Sequence, residues 1–70
     1  MERYSVSLVY TKPENDVPHQ TTITTLLRVL ITNAVSEEEA LGKAIKEFDK
    51  ETKGMSLLLK VVLPVKEPTS

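Results

Sequence analysis

The chain contains no cysteine and no tryptophan, a single histidine, a single phenylalanine and two glycines. Each scarcity closes off a chemistry. Without thiols there is no disulfide and no thiolate zinc site, and one imidazole makes no histidine cluster. With only Gly42 and Gly54, no glycine-rich loop is available to cradle a phosphate. No serine stands on a glycine-framed turn, so a Ser-His-acid hydrolase lacks its nucleophile. An excess of one charge is missing too. Nine basic and ten acidic side chains give a net charge of -1, which argues against the broad positive field that drives nucleic-acid binding. No apolar run approaches the roughly 20 residues that cross a bilayer, and Met1-Glu2-Arg3-Tyr4 lacks the basic-then-apolar layout of a signal peptide. The expectation is a cytoplasmic protein without metal or cofactor.

What is present is the patterning of one small α+β domain. Tyr4, Val6, Leu8 and Tyr10 alternate with Arg3, Ser5, Ser7 and Thr11, which predicts a first strand over about 3–11. Lys12 to Gln20 holds two prolines and an Asn-Asp pair and reads as a loop. Residues 21–33 are rich in β-branched side chains and form a second strand, apolar on both parities. Ser36 followed by Glu39 fits a capping box, opening a helix over about 37–53. Its stripe is Ala40, Leu41, Ala44, Ile45 and Phe48, and Gly54 is its stop. Gly42 weakens the helix interior and would permit close approach to a neighbour. A third strand covers about 55–65, and 67–70 form a polar tail.

A helix joining two strands of one sheet makes a right-handed crossover, so strands two and three run the same way. The expected fold is a β-β-α-β domain with a three-stranded mixed sheet of order 2-1-3 and one helix on one face; order 1-2-3 is the alternative. The helix-covered face is expected to carry Tyr4, Val6, Leu8, Ile23, Leu27, Val29, Leu57, Leu59, Val61 and Leu63. That parity leaves Val9, Leu26, Leu30, Leu58 and Val62 on the uncovered side, an apolar patch suited to contact between copies or with another protein. Self-association would also relieve the small core of a 70-residue domain.

Candidate chemistry is sparse. His19, in the proline-flanked loop near Asp16, reads as a loop residue rather than a general base, and Glu37 to Glu39 serve the helix dipole. Arg3, Arg28 and Lys60 fall on the expected outer face among serines and threonines, a set that an anionic, nucleotide-like ligand or a phosphate backbone would use. Exposed aromatics for base stacking are absent from that set. The run Thr21 to Thr25 is a strand of high β propensity that could also accept an added strand. In size and make-up the chain resembles small accessory proteins of phages and mobile elements, a likeness that assigns no residue but implies a host protein as target. The reading is a non-enzymatic protein-interaction or regulatory module, homodimeric, with the anionic-ligand binder as alternative.

Overall fold

The computed structural model describes residues 1–17 and 20–66, of which 13–17 and 20–22 are described by their backbone. The elements are β1 (Glu2–Val17), β2 (Gln20–Ala34), α1 (Glu37–Glu47) and β3 (Ser56–Pro64). They form one three-stranded sheet of order β2-β1-β3 with the helix on one side. Order 2-1-3 is therefore the arrangement found. The description of the sheet as mixed is not, because both ladders, β1 with β2 and β1 with β3, are antiparallel. The reason is positional: β2 and β3 run the same way but are held apart by β1, so no parallel ladder forms.

Two boundaries differ from expectation by more than one residue, each for a local reason. The β1–β2 pairing runs past Thr11, with Lys12 opposite Thr24, Pro13 opposite Ile23 and Glu14 opposite Thr22. Most of the expected loop is thus a two-stranded ribbon. Pairing with β3 ends at Thr11, so from there β1 has a free edge, where a proline is tolerated. Residues 18–19 lie outside the described set, and His19 with them. The helix stops at Glu47, not near 53, with Phe48 as its C-cap. Residues 48–54 form turns, in which Thr52 donates from its hydroxyl to the Phe48 carbonyl at 2.8 Å. Asp49 and Thr52 are poor interior helix residues, and the turns close at Gly54, whose φ of 84° suits glycine.

The helix starts as expected, with the Glu39 amide donating to Ser36 Oγ at 3.2 Å. The Glu39 carboxylate engages Lys43 at 3.4 Å, an i, i+4 pair. Lys43 Nζ also donates to the Asn33 carbonyl at 2.7 Å, tying the helix to the end of β2.

The core consists of Tyr4, Val6, Leu8 and Tyr10 from β1, Ala34 from β2, and Ala40 and Ala44 from α1. The two helix alanines let the helix backbone approach β1 closely. Leu26, Leu30, Leu41, Phe48, Met55 and Val62 close around this centre, partly buried. Tyr10 places its hydroxyl in the interior without a hydrogen-bond partner among the described residues.

The faces of β2 and β3 are exchanged relative to expectation. In an antiparallel pair, directly opposed residues share a face. Val6 lies opposite Leu30 on one side and Val62 on the other, which brings both to the helix side. Leu27, Val29, Leu59, Val61 and Leu63 accordingly fall on the open side and are exposed. Leu57 joins the helix side through a register shift between the pairs of Val9 and Tyr10.

Gly42 meets no atom within 4 Å of an added Cβ, so the close approach it would permit is not used. Gly42→Ala is expected to raise stability by about 0.5–1 kcal/mol through helix propensity and unfolded-state entropy. Gly54→Ala should lower it, because alanine is strained at positive φ. Chemical denaturation of the two variants beside the parent checks the opposite signs.

Candidate functional site

The helix occupies one side of the sheet, and the other side is built from three rows that cross all the strands. In the first row Ser5 of β1 stands between Ile31 and Leu63; in the second Ser7 stands between Val29 and Val61; in the third Val9 stands between Leu27 and Leu59. Strand alternation puts these nine side chains on a single face. The six flanking aliphatics are exposed, from 37% at Val61 to 59% at Ile31, whereas Ser5, Ser7 and Val9 are half-buried. The face is therefore two apolar ridges along the edge strands with a shallow trough over β1, floored by two serines.

Six exposed aliphatics in register form one contiguous patch, and contiguous apolar surface of this kind marks interaction sites on soluble proteins. None of the nine residues is charged. At its ends the patch passes into polar rows, with Asn33 opposite Arg3 at one end and Thr25, Thr11 and Ser56 at the other.

The residues expected to form a protein interface are spread over several environments. Val9 lies on the open face. Leu26, Leu30 and Val62 pack against the core beneath the helix. Leu58 stands at the register shift in β3, 68% exposed. The residues that make the open patch, Leu27, Val29, Ile31, Leu59, Val61 and Leu63, belong to the other parity of the same two strands. A signal for this was present in Ala34: a small residue just before the helix marks the side where the helix comes close, and Leu26 and Leu30 share its parity.

Arg28 and Lys60 are brought to one row, and Arg3 is set apart from them. Arg28 and Lys60 both lie opposite Leu8 and so belong to the helix side. Arg28 Nε donates to Glu51 at 2.6 Å and Nη1 to the Leu27 carbonyl at 3.0 Å. Glu51, in the turns after the helix, explains why a charged residue can occupy the covered face of β2. Arg3 lies on the opposite face, beside a shallow cleft shared with Glu2, Pro64, Val65 and Lys66. A larger cleft of about 580 Å³ lies between β2 and the helix, lined by Leu30, Thr32, Lys43, Lys46, Glu47 and Lys50. The acidic residues Glu37, Glu38 and Glu39 form the first turn of the helix, and the threonine run is on β2, an edge strand. Among the described residues no group of three or more His, Asp or Glu side chains is placed to hold a metal ion. No helix of the described residues is long and apolar enough to cross a membrane.

Among the described residues the perturbed titration is that of Tyr4, on the helix side at the sheet end. Burial, the hydrogen bond from its hydroxyl to Glu2 Oε2 at 3.1 Å, and the negative charges of Glu2 and Glu37 all raise its pKa above the ordinary 10.0. The folded phenol holds its proton more tightly than the unfolded one. Its contribution to stability is therefore full below pH 10.0 and is lost as pH rises from there through the folded value.

No known protein family, no curated protein and no solved structure matches the chain, which leaves its own geometry to indicate what it does.

Alkaline titration of tyrosinate absorbance should show a phenol ionising above pH 10.0 that is absent from Tyr4→Phe. Glu2→Gln should shift that ionisation downward; an unshifted titration would mean that Glu2 contributes nothing.

Proposed function

We propose that the chain is a non-enzymatic, cytoplasmic protein-interaction module that binds a protein through the open face of its sheet. The observation that carries this reading is the uncharged, exposed aliphatic face formed by Leu27, Val29, Ile31, Leu59, Val61 and Leu63. A soluble domain gains nothing from holding such a surface in water, because each of these side chains is worth about 1.5–3 kcal/mol when fully buried. Cover for the face is therefore strongly favoured, and the uncharged rows suit an apolar protein surface rather than an anionic ligand. The placement of Arg3 on the face opposite Arg28 and Lys60, with Arg28 paired to Glu51, favours the apolar reading over the anionic-ligand one. A size and make-up like those of phage and mobile-element accessory proteins fit a binding role.

The test uses immobilised chain with and without Leu59→Lys, a change at a side chain 54% exposed. A protein retained by the parent in 1 M salt, on the order of ten times the ionic strength at which charge pairs are already screened beyond ~10 Å, and lost from Leu59→Lys supports the open face as the binding surface. Identical retention by both would place binding elsewhere, and loss from both in salt would make it electrostatic.

A further inference from the structure

We infer that the occupant of the open face is a second copy of the same chain, packed sheet to sheet about a two-fold axis that crosses the strands at the level of Ser7. This rests on the open face being the binding surface and names what covers it.

The first support is area. A stable interface buries about 800 Å² on each partner around an apolar centre with a polar rim, and the six aliphatics, each 37–59% exposed, with the polar rows at their ends supply that centre and rim without the helix or the clefts. The second is charge. The rows carry no charged side chain, so two copies meet without repulsion, and the face asks for no partner of opposite sign.

The third support is shape, and it also chooses the axis. Packed sheets lie about 10 Å apart, and their interior must be filled. Ser5 and Ser7 leave a trough over β1, while Val9 fills it in the third row. If the two-fold ran along the strands, each residue of β1 would face its own copy. Ser5 would then lie over Ser5 and Ser7 over Ser7, leaving two gaps along the centre, with both Val9 side chains in the third row, where neither fills a gap. If the axis crosses the strands at Ser7, the first row of one copy lies over the third row of the other. Val9 then drops into the gap above Ser5 twice, once from each copy. On β1 only Ser7 meets itself, and two hydroxyls can hydrogen-bond each other there. Of the two axes, only the one across the strands sets small against large along β1. It also lays β2 over β2 and β3 over β3, so Val29 faces Val29. The chain twist accommodates this, since aligned sheets cross at about 30°.

The experiment is solution mass by sedimentation equilibrium and light scattering on the full chain, the single variants Val29→Glu and Val29→Lys, and their equimolar mixtures. The parent is expected to be a dimer whose dissociation does not rise with salt. Each single variant should dissociate at least ~100-fold more readily, since two like charges are driven together in an apolar layer. Mixing Val29→Glu with Val29→Lys should restore a heterodimer, because the axis pairs position 29 with itself. If the single variants unfold when separated, circular dichroism of the mixture reports the rescue by the return of β structure. Lys46→Glu, on the helix side, should leave the mass unchanged. Rescue of Val29→Glu by Val61→Lys and not by Val29→Lys would overturn the axis, since only a two-fold along the strands lays β2 over β3. A parent that is monomeric up to millimolar concentration would overturn the second copy as occupant. Salt-resistant binding of a different protein, lost in Leu59→Lys, would then still uphold the open face as a binding surface.

Discussion

One helix of eleven residues lies against a sheet of three strands, and it can cover only one side. Everything else in this molecule follows from which side that is, and β1 makes the choice. It is the central strand, paired on both edges, and its alternation is unambiguous: Tyr4, Val6, Leu8 and Tyr10 toward the helix, Ser5, Ser7 and Val9 away. The edge strands have no such preference of their own. Their register with β1 turns Leu30 and Val62 inward and leaves six aliphatics outside.

The balance between the two faces is uneven in an instructive way. The covered face is closed with small residues at the helix contact, Ala34, Ala40 and Ala44, and with a ring of partly buried side chains. It even admits Arg28, whose charge is met by Glu51. The open face is more uniformly aliphatic along its edges than the covered one. A protein that needed only to stay folded and dissolved would place polar residues there, as antiparallel sheets with one wet side commonly do. The serines on β1 keep that pattern, whereas β2 and β3 break it. Two apolar edges around a narrow polar centre make a surface shaped for contact, and the small core of a short chain gives self-association an energetic reason as well.

Much of the fold was legible in the residues. The alternation in β1, the Ser36 cap, the helix stripe and the right-handed crossover lead to order 2-1-3. The word mixed does not follow from that order, because a central strand antiparallel to both neighbours leaves no parallel ladder. The faces of β2 and β3 were harder to read. A strand apolar on both parities carries no internal sign of which side is buried, and a one-residue slip exchanges its faces. Ala34, with Leu26 and Leu30 on its parity, was the local clue. The ribbon beyond Thr11 was obscured by Pro13, which reads as a strand breaker until the edge is seen to be free. The three cations looked like one group only while the parity of β2 and β3 was inverted. An apolar open face was legible from the surplus of aliphatics over what one helix can cover; Val9 belongs to it as expected, whereas Leu26, Leu30 and Val62 lie on the other parity.

The most direct measurement is the exposure of methyl groups on the open face, read by relaxation from a soluble paramagnetic agent in concentrated protein. If that face is covered, methyls of Leu27, Val29, Leu59 and Val61 will be shielded like those of the buried Val6 and Leu8, while Val35, 68% exposed, relaxes quickly. Relaxation of the open-face methyls as fast as that of Val35 would show the face bare in solution and contradict its role as a contact surface between copies.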